Sequence, residues 1–115
     1  MANNESSPSY KDAEVLHKAN VYHGGKVTSR VVITKENERL TLGVMLPGTY
    51  NFGTEAAEIM DCTVGSCRVK LAGQSEWKTY KEGESFNVPA NSRFDIEVAG
   101  PYLDYICHYI KDSTL

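Results

Sequence analysis

The stretch that decides the fold is Gly48-Thr-Tyr-Asn-Phe-Gly-Thr-Glu-Ala-Ala-Glu58-Ile-Met-Asp-Cys-Thr-Val-Gly65. It predicts a strand, a turn and a second strand, because Tyr50 and Phe52 alternate with small or polar neighbours and glycines bound the segment. A later stretch, Gly83-Glu-Ser-Phe-Asn-Val-Pro89-Ala-Asn-Ser-Arg-Phe94, has the same character. A glycine opens a short strand in each, and we expect both strands to direct side chains toward one place.

Short segments of alternating or β-branched residues continue through the chain after residue 20, at 21–23, 26–34, 39–45, 67–71, 93–98 and 103–110. In the segment 93–98, Phe94, Ile96 and Val98 share one face, as in a half-exposed antiparallel strand. Turn residues separate the segments, and there is little helical periodicity. The pattern predicts one all-β domain, a sandwich or a barrel, and does not by itself distinguish a jelly roll from other barrels.

The two ends of the chain differ in character. Residues 1–19 are polar and predict a loose N-terminal arm, in which a capping-box pattern at Ser9 could open a short helix through Leu16. Residues 20–115 form the predicted β domain. The last strand, 103–110, is apolar on both faces, so we expect the core to cover one face and a second subunit, in a homodimer, to cover the other.

Composition excludes several classes of protein. The 115 residues carry 12 Lys and Arg against 15 Asp and Glu, which does not suit an electrostatic nucleic-acid binder. No apolar run is long enough to span a membrane and no signal-peptide pattern opens the chain, so we expect a soluble cytoplasmic protein. The three cysteines and three histidines lack the spacing of a zinc site, and the odd cysteine number argues against a disulfide framework.

The two glycine-bounded stretches resemble the motifs of the cupin superfamily. The first cupin motif has two histidines, a glutamate and a closing glycine at fixed distances after its opening glycine; here Thr54, Ala56, Glu58 and Gly65 stand at those places. The second motif has a proline and then a histidine, where this chain has Pro89 and Phe94. The glycines, the proline and the glutamate match, whereas all three metal-binding histidines are absent. The resemblance implies a cupin-type jelly-roll barrel.

The missing histidines change the expected chemistry. One carboxylate does not hold a catalytic transition metal, which needs three or more protein ligands, so we expect no metal and no other cofactor. The mouth of the barrel is expected to carry Tyr50, Phe52, Met60 and Phe94 beside Thr54 and Glu58. This suits a flat, partly apolar ligand, although Tyr50 and Phe52 could simply fill the barrel. A carboxylate facing the interior is costly, so Glu58 is either functional or paired with Arg or Lys.

A narrower resemblance follows from residues spread between Asn20 and Ile110. The matching segments are Asn20-x-Tyr22, Gly25-Lys26-Val27, Val44-Met45, Gly48-x-Tyr50-x-Phe52-x-Thr54, Trp77, Phe86-Asn87-Val88-Pro89 and Tyr105-x-Cys107-x-Tyr109. Together they are similar to the pyrimidine/purine nucleoside phosphorylase family of small bacterial cupins. This resemblance implies metal-independent phosphorolysis, in which a ribonucleoside and inorganic phosphate give a free base and ribose 1-phosphate. It also implies broad specificity and a place in nucleoside salvage.

The resemblance suggests roles for individual residues. Glu58 is the expected catalytic group, which either contacts the ribose and favours its cationic form or, if apolar neighbours raise its pKa, protonates the base. Phosphate needs a cation or backbone N–H groups, and the candidates are Lys26, Arg30, Arg39, Arg68 and Arg93. Alternation turns Arg93 away from Phe94, which argues against it. We expect Lys26 first, because it lies in one of the matching segments, and then Arg30. Two rivals remain: a metal-free cupin that binds a sugar or nucleoside without catalysis, and a metal cupin using His23 or His108.

Overall fold

The computed structural model describes residues 7–111. Eleven strands and one 3-10 turn lie within that range. The strands are β1 (Glu14–Val15), β2 (Asn20–Tyr22), β3 (Val27–Ile33), β4 (Arg39–Met45), β5 (Gly48–Gly53), β6 (Glu58–Val64), β7 (Cys67–Leu71), β8 (Lys78–Tyr80), β9 (Ser85–Val88), β10 (Arg93–Val98) and β11 (Leu103–Tyr109), with the 3-10 turn at His23–Gly25 between β2 and β3. The predicted strands are therefore confirmed in position and type.

The strands form two antiparallel sheets. The larger has the order β1-β3-β4-β11-β6-β9, with β2 also paired to β3, and the smaller has the order β5-β10-β7-β8. The two glycine-bounded stretches contribute to both sheets, since β5 and β10 lie side by side in the small sheet while β6 and β9 pair in the large one. These stretches thus bring the two sheets together around one interior.

The core lies between the inner faces of the two sheets. Alternation directs Phe94, Ile96 and Val98 of β10 inward, where all three are buried, as predicted. From the large sheet, Leu103 and Met60 pack into the same cluster. The all-β class is confirmed, with the sheets facing each other rather than joined into a closed barrel across the described residues. None of those residues forms a helix with the length and apolar character needed to cross a bilayer.

The N-terminal arm corrects one expectation. In place of the short helix predicted from Ser9 to Leu16, Glu14–Val15 forms β1, which pairs with Val32 and Ile33 of β3. An isolated helix of this length is marginal in water, whereas the edge of β3 offers ready N–H and C=O partners. The division into an arm, 1–19, and a domain, 20–115, stays a prediction.

The outer face of the large sheet carries apolar side chains. Leu40, Leu42 and Val44 share one face of β4, as predicted, and this face points away from the core. Leu40 is only 2% exposed, while Leu42 is 40% and Val44 is 36% exposed. Burial raises the pKa of the Tyr10 phenol of the arm, and the charge of the nearby Asp61 on β6 adds to this rise. The described part of the arm, residues 7–19, therefore crosses part of this outer face and leaves Leu42 and Val44 exposed.

Candidate active site

A cavity of about 150 Å³ opens between the two sheets. Every strand that reaches it does so through alternate side chains of its inner face. The lining residues are Tyr22, Ser29, Thr41, Met45, Phe52, Gly53, Glu58, Met60, Phe94, Tyr105, Cys107 and Tyr109. They divide into an aromatic wall, mainly from the small sheet, and a polar wall from the large sheet.

The aromatic wall is built around Phe52 of β5 and Phe94 of β10. These residues are directly paired across the strands, and their ring centroids lie 5.9 Å apart. The ring centroids of Tyr22 and His23 lie 6.0 Å and 5.1 Å from that of Phe52, and both rings are nearly perpendicular to the Phe52 ring. Since offset and edge-on arrangements are favourable for aromatic rings, this wall is held in place and presents a flat apolar surface.

The polar wall follows from the register of β3, β4, β11 and β6. Thr41 lies opposite Cys107, and Tyr109 lies opposite Glu58. The Thr41 Oγ1 and Tyr109 Oη atoms are 3.5 Å apart. Burial raises the pKa of the neighbouring Cys107 thiol, and the charge of Glu58 adds to this rise. Burial raises the pKa of Tyr109 to about 12, so its hydroxyl keeps its proton at neutral pH and can donate a hydrogen bond.

Glu58 is the carboxyl group of the cavity. Burial raises its pKa above the ordinary glutamate value, and the hydrogen bond from Cys107 partly opposes this rise by favouring the ionised form. The ion pairs among residues 7–111 are Arg68–Glu97 and His108–Asp61, so Glu58 is not paired with a lysine or arginine there. Of the two explanations offered by the sequence for this carboxylate, the structural ion pair finds no support.

The predicted site residues are only partly brought together. Glu58, Phe52, Met60 and Phe94 line the cavity as expected. The expected placement of Tyr50 and Thr54 at its mouth needs correction. The Tyr50 hydroxyl donates to the Leu46 carbonyl at 2.6 Å, and the Thr54 hydroxyl donates to the Pro89 carbonyl at 2.7 Å. Both side chains are buried and hold loops at the ends of β5, because a buried hydroxyl needs a partner.

The two predicted phosphate-binding residues lie elsewhere. Lys26 is exposed at the end of the 3-10 turn. Arg30 is exposed on the outer face of β3, opposite Leu42, while its neighbours Ser29 and Val31 point inward. Neither residue lines the cavity, and their binding of phosphate stays a prediction that these positions do not favour.

Eight lining residues were not singled out as site residues from the sequence: Tyr22, Ser29, Thr41, Met45, Gly53, Tyr105, Cys107 and Tyr109. A signal was present in β11, where Tyr105, Cys107 and Tyr109 alternate on one face and each carries a polar tip. Buried tyrosines and threonines that share a face with a carboxylate can be expected to form one hydrogen-bonded wall.

The histidines are not gathered into a metal site. His23 packs against Tyr50 and Phe52, whereas His108 lies on the outer face of the large sheet with its Nε2 atom 2.7 Å from Asp61 Oδ2. Within residues 7–111 there is no group of three or more His, Cys, Asp or Glu side chains placed to hold a metal ion. The described residues therefore offer no ligand set for the metal-cupin alternative.

Comparison with known proteins agrees with this architecture. The family model described as "Pyrimidine/purine nucleoside phosphorylase" matches residues 17–109. A protein of that name from Burkholderia vietnamiensis is 53% identical over 105 residues, covering 91% of this chain and 98% of that protein. A solved structure of a protein of unknown function from Acinetobacter sp. ADP1 superposes with a TM-score of 0.85 at 39% identity, covering 89% of this chain and 98% of that one.

A solved structure of much lower sequence identity shows which fold this is. The cupin domain of Drosophila melanogaster CENP-C superposes with a TM-score of 0.64 at 13% identity, covering 81% of this chain and 71% of that one. This likeness confirms the predicted cupin-type jelly roll. Because the family match spans nearly all of both sheets, the chain belongs to the pyrimidine/purine nucleoside phosphorylase family.

Proposed function

We propose that this protein catalyses the phosphorolysis of purine and pyrimidine ribonucleosides to free base and ribose 1-phosphate. The observation that carries the proposal is the cavity itself, where an aromatic wall faces a polar wall that contains Glu58. A nucleoside has the same two parts, a flat base and a ribose rich in hydroxyls. Membership of the family adds the reaction class.

The reaction breaks one bond and forms another at C1′ of the ribose. The electron pair of the C1′–N bond goes to the base, and an oxygen of the hydrogen phosphate ion forms the new bond to C1′. The proton that the hydrogen phosphate ion gives up ends on the base, so the step balances. The sugar passes through a state resembling an oxocarbenium ion, as in other glycosyl transfers. In the proposed complex the base stacks on Phe52 and Phe94, and Glu58 accepts hydrogen bonds from the ribose and stabilises its positive charge.

The size of the cavity limits how the substrate enters. Its volume of about 150 Å³ is below the range of roughly 300–1,000 Å³ usual for small-molecule pockets. A nucleoside would therefore occupy it in part and extend toward the exposed Tyr22 at the mouth. Tyr22 then becomes a second aromatic surface for the base, edge-on to Phe52.

Broad specificity is part of the proposal. Every base has a flat face, so a site that holds the base by stacking does not distinguish strongly between purines and pyrimidines. We expect the kcat/KM values for adenosine and uridine to differ by less than about a thousandfold, a ratio of about 4 kcal/mol in transition-state free energy. Initial rates of base release measured by chromatography check this. A larger ratio would indicate a site that reads base edges.

Metal independence is proposed for the same site. Its support is the residue set, in which Thr54, Ala56 and Phe94 occupy the places of the cupin histidines and Glu58 alone is a candidate ligand. We expect the rates in the adenosine and uridine assays to be unchanged when EDTA is added. Loss of activity with EDTA, restored by one divalent metal, would contradict this part of the proposal.

A homodimer is proposed through the outer face of the large sheet. Leu42 and Val44 are exposed beside the half-buried Ile106, and Arg30 and Asp104 flank them with opposite charges. In a two-fold interface the same patch meets itself, so Arg30 of one copy can approach Asp104 of the other. Each exposed leucine or valine side chain buried there contributes about 1.5–3 kcal/mol.

Light scattering after size-exclusion chromatography should give twice the 12.8 kDa chain mass. The variant Leu42→Glu should shift the mass to that of one chain, since it places two carboxylates in the interface. Thr79→Glu, an equal charge change at an exposed position of β8 in the other sheet, should leave the dimer intact. A single-chain mass for the unmodified protein, or an intact dimer for Leu42→Glu, would contradict the proposed interface.

A cytoplasmic location and a role in nucleoside salvage complete the proposal. The three cysteines are free and buried. Free thiols persist most readily in the reducing cytosol, whereas small secreted domains tend to carry disulfides. A reaction that conserves the sugar as a phosphate ester suits the recovery of bases and pentoses inside the cell.

A further inference from the structure

Arg39 stands in a row with two side chains of the polar wall. It is two residues before Thr41 on the inner face of β4, where the register of β4 with β11 places it beside Tyr109. On the other side of Tyr109 lies Glu58. Neighbouring strands are about 4.8 Å apart, so the Cα atoms of Arg39 and Glu58 are separated by about 10 Å with the tyrosine between them.

The guanidinium group of Arg39 packs on Tyr109, which borders both the cavity and the neighbouring depression that Arg39 lines. Its Cζ atom lies 4.5 Å from the centroid of the Tyr109 ring, a cation–π contact that restrains its position. Arg39 is absent from the ion pairs found in residues 7–111, so no carboxylate there occupies its donors. The stacked guanidinium is therefore positioned, charged and available to an anion.

The other arginines of the described residues point away from the cavity, and two of them are hydrogen-bonded elsewhere. Arg68 Nε donates to Glu97 at 2.6 Å, and Arg93 Nε donates to Asn51 at 2.6 Å, both on the outer side of the small sheet. Arg30 lies on the outer face of the large sheet. Arg39 is thus the arginine, among the described residues, that contacts a side chain lining the cavity.

We propose that Arg39 binds the inorganic phosphate co-substrate at the Tyr109 end of the cavity. This inference rests on the proposed phosphorolysis and assigns the anion site that the reaction requires. The planar guanidinium offers parallel N–H donors that match two phosphate oxygens, and the Tyr109 hydroxyl adds a donor within the cavity. The base then lies toward Tyr22 and Phe52, the phosphate toward Arg39 and Tyr109, and the ribose between them near Glu58.

The test is the dependence of the rate on phosphate concentration at saturating nucleoside. We expect Arg39→Gln to raise the KM for phosphate about 10- to 100-fold, the effect of losing charge-assisted hydrogen bonds. The KM for the nucleoside should change less than about threefold. The KM for phosphate of Arg39→Lys should lie between those of the unmodified protein and of Arg39→Gln, because lysine keeps the charge but lacks the planar donor pair. Lys78→Gln is the matched control, with the same charge change at an exposed position of β8 in the other sheet and an unchanged KM for phosphate.

A second measurement uses inorganic phosphate alone. Phosphate should raise the Tm of the unmodified protein and of Lys78→Gln, and raise that of Arg39→Gln much less, because ligand binding stabilises only the folded state. Arg39 is exposed, so its replacement should leave the fold intact. Equal KM values for phosphate in Arg39→Gln and Lys78→Gln would overturn the assignment of Arg39. An unmodified protein without phosphate-dependent turnover would instead overturn the proposed function.

Discussion

Replacing Glu58 by glutamine is expected to lower kcat/KM for nucleoside phosphorolysis by about 100-fold or more. The variant keeps the shape of the side chain but removes the negative charge that the proposed transition state needs beside the ribose. Electrostatic groups of this kind typically contribute 10²–10³-fold to the rate. Steady-state kinetics with uridine and phosphate measure the effect, and Glu55→Gln, in the exposed turn before β6, is the matched control.

For the stability of Glu58→Gln we expect no such loss. Burial raises the pKa of Glu58, so the folded state binds its proton more tightly than the unfolded state. Stability therefore falls as the pH rises from the unfolded pKa through the folded pKa, and the cost persists at neutral pH. Glu58→Gln has no charge to desolvate, so its Tm at pH 7.5 should equal or exceed that of the unmodified protein. Full activity in a folded Glu58→Gln variant would remove Glu58 from the mechanism.

Replacing Gly43 by alanine is expected to destabilise the protein by about 3 kcal/mol, the upper part of the range for overpacked cores. A Cβ at position 43 would lie 2.5 Å from the Tyr105 ring and hydroxyl and 2.6 Å from the Thr28 carbonyl oxygen. The carbonyl belongs to the adjacent strand β3 and cannot move without disturbing the sheet. Chemical denaturation monitored by circular dichroism measures the loss.

Gly100→Ala is the control for the glycine prediction. No atom lies within 4 Å of a Cβ built at Gly100, so its stability should change by less than about 0.5 kcal/mol. Because the crowding at Gly43 also displaces Tyr105 from the polar wall, Gly43→Ala should lose activity at temperatures where it is still folded. Equal stability of the two alanine variants would mean that β3 and β4 separate easily, and the described wall would then be poorly fixed.

Much of the fold could be predicted from the sequence because the side chains of a strand alternate strictly between two faces. The positions of Phe94, Ile96 and Val98 follow from that alternation alone. The local sequence pattern did not predict the structure of the arm, where Glu14–Val15 forms a strand by pairing with the edge of β3. That outcome depends on partners 17 and 19 positions later in the chain, Val32 for Val15 and Ile33 for Glu14, which a short window of sequence does not include.

Site residues could be predicted from the sequence only where they belong to a recognisable motif. Glu58, Met60, Phe52 and Phe94 belong to the two glycine-bounded stretches and were found. Tyr50 and Thr54 belong to the same stretches, but their hydroxyls donate to loop carbonyls, a role that alternation does not reveal. Most of the polar wall, including Thr41 and Tyr109, comes from strands whose register is fixed by long-range pairing. Such pairing cannot be read from spacing within a single segment.

The central claim is phosphate-dependent cleavage of the N-glycosidic bond. The most direct measurement is the amount of base and of ribose 1-phosphate formed from a purine and a pyrimidine nucleoside, with and without inorganic phosphate, in buffer containing EDTA. We predict equal amounts of base and ribose 1-phosphate with phosphate present, and essentially none without it. Absence of base release from either nucleoside would contradict the claim and leave a cupin that binds nucleosides or sugars without catalysis.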